Sequence, residues 1–467
     1  MSLNSFNFVI SGVGLSVVLG MLQLFKKKKD VVGRVQLLFL LLFSYFFILT
    51  SDYKFCICVL IVTMITYICG RLMGKRAGNR KVLMGGCILL IGFLVYFKYT
   101  NFFISSFSAL TNRDAAALNI ILPIGVSFYI FSALSYLIDV YRGEYDAEKN
   151  LLDVALYISF FPKLMAGPIV RGADFFPQVK KYRGIEWEAF KAGIQIFVFG
   201  LFKKMVIADH LGVFVDDVFR APAAFNTGTV IYAAVSCSLQ IYFDFSGYSD
   251  MAAGIAKIVG FDFKRNFNLP YIAENESELW ERWHISLSSW FRDYLYIPLG
   301  GSRKGEGRTY GNILITMTVS GLWHGAGWTF IVWGLLHGVM SCVHRFAKKH
   351  GYQGNKVVNI IVTFIVFTLL LVIFRADSLS GAMAVLSAMF TVHTGISQPY
   401  SWGGFAMAVL IMATIIAKVK AGDGKVNGFY PVLDLGKFWG QVVFFIFCGL
   451  TIIMGYYGNT VFIYGKF

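Results

Sequence analysis

The chain is 467 residues long, 57% hydrophobic and only 15% charged, and it carries 46 Phe, 24 Tyr and nine Trp. With a mean hydropathy of +0.64, this composition excludes an ordinary soluble domain and points to segments that meet lipid. The net charge of +16 does not describe a nucleic-acid surface. Its basic residues gather in short loops between apolar runs (Lys26–Lys29, Arg71–Lys81, Lys180-Lys181), where such clusters set topology and meet anionic headgroups.

The apolar runs lack period-two alternation, so helices and not barrel strands are expected to span. At roughly 20 residues per span, the chain has room for about a dozen. Asn7–Phe25 comes first. Its basic residues follow the apolar run, so it reads as a retained span with its amino end outside, not as a cleaved signal. Runs at Val35–Leu49, Phe55–Cys69, Val82–Phe103 and Ile120–Val140 follow. Placing Lys26–Lys29 in the cytoplasm puts Arg71–Lys81 and Arg142–Lys149 there too, after two crossings each.

Leu152–Val170 contains Pro162, Lys163, Gly167 and Pro168, which break a helix and place a charge at depth. A re-entrant or broken element is expected. Further spans are expected near Ala189–Met205, Val230–Phe243, Val357–Phe374, Phe405–Val419 and Gly440–Tyr457. No repeat or low-complexity linker divides the chain, so residues 1–467 read as one integral membrane domain. The stretch Gln240–Asp250 interrupts an apolar run with hydroxyls and with Asp244 and Asp250. It reads as a helix end emerging at the interface, or as the lining of a substrate route.

Leu279–Leu295 reads as one amphipathic helix. Trp280, Trp283, Leu287, Trp290 and Tyr294 recur at helical spacing on one face, which suits the headgroup boundary. His284 borders this stripe and shares a face with Ser288 and Phe291. Alone it reads more readily as a structural hydrogen-bonding residue than as a chemical one. Tyr310–Arg345 is nearly uncharged, yet as one helix it would reach roughly 54 Å, beyond a hydrocarbon core of about 30 Å. Gly321, Gly325 and Gly327 mark the place to bend or break, and the spacing of Gly321 and Gly325 permits close backbone approach. His324 sits among them, between Trp323 and Trp328. A neutral imidazole at such a break suits a general base.

His337 and His344 share a helix face whose approach to Arg345–Lys349 suggests the cytoplasmic boundary. His210, His350 and His393 read as solvated or interfacial. The seven cysteines show no zinc or disulfide spacing, and HExxH, CxxC, phosphate-loop and G-x-S-x-G patterns are missing. No metal and no permanently bound cofactor is expected.

Trp280-Glu-Arg-Trp-His284-Ile-Ser-Leu-Ser-Ser-Trp-Phe-Arg-Asp-Tyr-Leu-Tyr-Ile-Pro-Leu-Gly-Gly and Gly321-Leu-Trp-His324-Gly-Ala-Gly-Trp-Thr-Phe resemble the membrane-bound O-acyltransferase (MBOAT) superfamily, and within it the bacterial alginate O-acetylation branch. The segments beginning at Leu122, Phe160 and Ile241 are similar to others of that branch. The resemblance runs from about residue 120 to the C-terminus; the first hundred residues match mainly in hydropathy.

The resemblance implies an all-α, polytopic fold of about 11 transmembrane helices, with re-entrant and interfacial helices around a central funnel or tunnel. It implies catalytic roles for His324, matching the near-invariant histidine, and for His284, matching a more variable polar position. Trp283, Ser288, Arg292, Asp293, Trp323 and Asp244 are the expected substrate contacts. The implied activity carries an acetyl group from a cytoplasmic thioester, acetyl-CoA or an acyl carrier, to hydroxyls of an extracellular or cell-wall polysaccharide. Transfer is direct or relayed by an extracytoplasmic acetyltransferase partner, and the setting is the bacterial cell membrane. The rival expectations are a transporter or flippase without acyl chemistry, and a superfamily member acting on lipid or protein.

Overall fold

The structure, a computed structural model, describes residues 3, 5–24, 29–74, 79–113, 116–398 and 432–458. The regular secondary structure of the described residues is helical, apart from an isolated bridge between Phe225 and Ile396. Five of their helices are long and apolar enough to cross a membrane: Val31–Leu49, Tyr53–Met73, Arg80–Thr111, Trp328–Lys349 and Lys356–Arg375. Three apolar helices are shorter. The span expected at Phe405–Val419 lies outside the described residues, as does most of Lys26–Lys29.

The helices pack as two compact units, Met1–Phe197 with Met251–Lys264, and Val198–Asp250 with Arg265–Phe467. The first opens with α1 (Phe6–Gln23), α2 (Lys29–Leu49), α3 (Tyr53–Met73) and α4 (Arg80–Thr111). Ser5, Asp52 and Asn79 each accept a backbone N–H of the first turn, which satisfies donors that lipid cannot. At its centre is α5 (Val126–Arg142), buried along nearly its whole length and packed on α3 and α4. The expected span from Ile120 therefore starts later, because Pro123 and the left-handed Gly125 hold the chain out of helix before Val126.

The proline-rich stretch breaks as expected. Helix α6 (Leu151–Ser159) stops at Phe160, α7 (Phe161–Leu164) makes one turn, and α8 (Gly172–Lys180) follows. A Cβ on Gly125 would lie 1.8 Å from the Leu164 carbonyl oxygen, so only glycine lets this turn cross the start of α5. The buried Lys163 ammonium lies 3.9 Å above the Tyr157 ring and donates to Ser132 Oγ at 3.4 Å, a cation–π seat in place of a carboxylate. Helix α9 (Trp187–Leu201) passes from the first unit's residues into the second's.

In the second unit a π-helical turn, Phe202–Ala208, leads into α10 (Asp209–Arg220). Helix α11 (Thr227–Ile258) contributes its residues up to Asp250. The stretch Gln240–Asp250 is therefore not a helix end. It lies inside this long helix, and residues 240–249 are buried. The short helices α12 (Glu276–Arg282) and α13 (Ile285–Phe291) are followed by α14 (Glu306–His324), α15 (Trp328–Lys349), α16 (Lys356–Arg375), α17 (Leu379–Phe390) and α18 (Phe438–Met454). The long run Tyr310–Arg345 does break at Gly325–Gly327, and α14 and α15 fold back as a hairpin. Gly321 and Gly334 meet where the two helices touch. A Cβ on Gly321 would sit 2.2 Å from the Phe330 carbonyl oxygen and 3.0 Å from Gly334 Cα.

Candidate active site

The expected single helix Leu279–Leu295 is interrupted at its chemical residue. Helix α12 ends at Arg282, Trp283 is extended, and His284 adopts a left-handed conformation with φ of 44° before α13 begins. That conformation is uncommon outside glycine and is held by its surroundings. The holder is Asn266. Its carbonyl accepts Ile285 N–H at 2.9 Å. Its side-chain Oδ1 accepts Ser286 N–H at 3.1 Å, Ser286 Oγ–H at 2.9 Å and the Nδ1–H of His284 at 3.3 Å. Asn266 Nδ2 then donates to Ser249 Oγ on α11 at 3.1 Å.

Because an amide oxygen only accepts, this arrangement puts the His284 proton on Nδ1 and leaves Nε2 as a lone pair. Nε2 has no hydrogen-bond partner among the described residues. The ring is fully buried, and burial pushes it down to about 3, so His284 is neutral near pH 7.

The aromatic stripe of this segment does not face headgroups. Trp283, Leu287, Trp290 and Tyr294 are buried, and Trp283 packs on Tyr242, Phe267, Tyr271 and Phe367. The other expected contacts divide. Ser288 donates to the Trp283 carbonyl at 3.0 Å and steadies the break. Arg292 is exposed and engages the largely buried Asp293 at 2.8 Å.

His324 closes α14 and is 2% exposed. Its ring centroid lies 6.4 Å from that of His284, 5.1 Å from those of Trp323 and Trp333, and 5.5 Å from that of Phe374. Trp323 in turn lies 6.0 Å from His284. Two imidazoles contributed by segments forty residues apart thus share one aromatic layer, entirely within the second unit. Both imidazoles are buried.

Asp244 is committed to an ion pair. Lys204, on the π-helical turn, reaches Asp209 at 2.5 Å and Asp244 at 2.7 Å, all three buried, and the adjacent Lys203 pairs with Asp250 at 2.5 Å. The widened turn sets consecutive lysines against one face of α11.

Three residues of this neighbourhood escaped the sequence reading. Asn266 is one. The second is Trp333, buried, with an indole N–H that has no hydrogen-bond partner among the described residues. The third is Glu276, which pairs with His337 and accepts Trp280 Nε1–H at 2.7 Å. His337 is fully buried, because α15 turns that face onto α12.

A helical membrane protein whose polar chemistry converges on buried, oriented imidazoles, with hydroxyl and indole groups around them, has the parts of an intramembrane transferase. The membrane-bound O-acyltransferase (MBOAT) family profile matches residues 146–374, which contain every histidine of the layer. The chain is 40% identical over 339 residues to a probable alginate O-acetylase of Azotobacter vinelandii, covering 71% of this chain and 68% of that protein. It is 37% identical over 352 residues to a peptidoglycan O-acetyltransferase of Helicobacter pylori, covering 69% and 67%. A teichoic acid D-alanyltransferase of Bacillus subtilis is 29% identical over 244 residues, covering 50% and 61%. The chain belongs to the membrane-bound O-acyltransferase family and is a multi-pass membrane enzyme of acyl transfer.

Proposed function

We propose that this protein acetylates hydroxyls of an extracellular or cell-wall polysaccharide, drawing acetyl from a cytoplasmic thioester, either acetyl-CoA or an acyl carrier. The observation that carries the reading is the pair of buried imidazoles, 6.4 Å apart, inside the family-matched region. Relatives named for alginate and for peptidoglycan O-acetylation support a glycan acceptor. They favour it over lipid or protein, and family membership disfavours a transporter without bond making. Basic loops between the early spans support a cytoplasmic-membrane setting with those loops inside. An extracytoplasmic acetyltransferase partner, receiving acetyl for relay to the glycan, belongs to the same proposal.

In this mechanism His324 takes the proton of the attacking hydroxyl as the new C–O bond forms, the C–S bond breaks and the thiol departs. Base catalysis of this kind contributes about 10²–10⁴-fold. His284 has its N–H turned to Asn266, so it accepts a hydrogen bond and orients the hydroxyl or His324. It does not serve as an oxyanion donor in that tautomer. The buried indole N–H of Trp333 is the better donor for the developing oxyanion. The test is transfer of radiolabel from acetyl-CoA to glycan by reconstituted protein. His324→Ala is expected to abolish labelling while the protein stays folded and membrane-inserted. Unchanged labelling by that variant would overturn the assignment.

A further inference from the structure

We propose that Glu276 and His337 form a second proton-handling pair of the acyl-transfer site, the one that protonates the departing sulfur. The inference rests on the His324 reading above and adds to it a general acid.

The geometry is specific. The Glu276 carboxylate accepts the Nδ1–H of His337 and the Nε1–H of Trp280 through the same oxygen. Both residues are buried, His337 completely. A carboxylate that fixes one imidazole nitrogen leaves the other for chemistry, the logic of an oriented catalytic histidine. His337 Nε2 has no hydrogen-bond partner among the described residues. A bare buried carboxylate is costly, and a Glu276 carboxylate beside a His337 imidazolium, protonated on both nitrogens, is neutral overall. Such a pair stores a proton in a dry interior.

Its position fits the need. The His337 centroid lies 4.7 Å from that of Trp333, and the His324 centroid lies 5.1 Å from the same indole. The two imidazoles are therefore under about 10 Å apart. An attacking oxygen and a leaving sulfur on one carbonyl carbon are roughly 3 Å apart, and one hydrogen bond of about 3 Å at each end brings the span to about 9 Å. A base at the oxygen and an acid at the sulfur fit within that upper bound, with the Trp333 indole packed against both imidazoles.

The step balances. The hydroxyl proton passes to His324 as the C–O bond forms. The C–S bond breaks with its electron pair on sulfur, and sulfur takes the Nε2 proton of the His337 imidazolium, which leaves a neutral His337 with its Nδ1–H on Glu276. The proton left on His324 restores the pair before the next turnover.

The experiment compares purified wild type, His337→Asn, Glu276→Gln and His324→Ala with two donors, acetyl-CoA and an acetyl aryl thioester. Alginate oligosaccharide and muropeptide acceptors run in parallel. Asparagine keeps an N–H near the Nδ1 position facing Glu276 and removes Nε2, so a purely structural histidine survives the change. The expected result for His337→Asn is a kcat about 10²-fold lower with acetyl-CoA, little change in KM, and recovery to within about tenfold of wild type with the aryl donor. An aryl thiolate leaves without a proton, which is why that donor rescues. His324→Ala should fail with both donors. Full activity of His337→Asn, or an equal loss with both donors, overturns the proposal. Activity of His324→Ala overturns instead the reading it rests on. Should His337→Asn fail to give a monodisperse protein, Glu276→Gln carries the same donor comparison.

Discussion

Asn266→Ala is the sharpest probe of the site's architecture, because a single amide oxygen holds His284 in place. Removing it strips the acceptor from Ser286 N–H, Ser286 Oγ–H and His284 Nδ1–H. The hydroxyl can rotate to another partner, and Ser286 is only half-buried, so two donors at most lose their full bond. At about 1–3 kcal/mol for each buried donor left unsatisfied, the loss comes to about 2–6 kcal/mol. The left-handed turn at His284 loses its clamp at the same time, and the imidazole loses the bond that selects its tautomer. At about 2 °C per kcal/mol for a large domain, the apparent melting temperature should fall by roughly 4–12 °C. Turnover should fall about 10–100-fold, the range seen when a partner that orients a functional histidine is removed. Thermal unfolding in detergent and acetyl transfer to glycan, measured on one preparation, check both numbers. Asn266→Asp, which keeps the accepting oxygens, should retain more stability than alanine. If Asn266→Ala melts within a degree of wild type and transfers acetyl at the wild-type rate, the account of how His284 is positioned is wrong.

Two further outcomes follow from packing and charge. Gly334→Val should prevent the α14–α15 hairpin from closing, since even a Cβ there would lie 2.3 Å from the Met317 carbonyl oxygen and 2.9 Å from Gly321 Cα. Size-exclusion chromatography should show lost monodisperse protein, whereas Gly311→Ala, with nothing within 4 Å, should behave as wild type. Lys204→Met should leave Asp209 and Asp244 buried without their cation, a loss of about 3–5 kcal/mol, read as reduced folded yield. Adding Asp209→Asn and Asp244→Asn should restore much of that yield, and a Lys204→Met protein as stable as wild type would mean that the triad is not a structural ion cluster.

What the chain's order of residues determines by itself is local and periodic. Apolar runs without alternation require helices in lipid. A run too long for one crossing, carrying glycines at 321, 325 and 327, must break near them, and it does. The basic loops, the broken Pro162–Pro168 stretch and the two histidine motifs were equally visible, because each is a pattern within one short segment.

The tertiary structure alone decided which polar groups meet. The break at Trp283–His284 carries no periodic signal, since a left-handed histidine depends on an acceptor 18 positions away, Asn266. Nothing in the spacing of His337 announced its partner Glu276, 61 positions distant. Asp244 read as part of a helix end at the interface or of a route lining, whereas α11 runs on through it and Lys204 arrives from a π-helical turn. A buried polar group must find a partner, but nothing in helical spacing says from where. Periodicity reports which face of an element turns inward, and only the packed helices report what that face turns inward to meet.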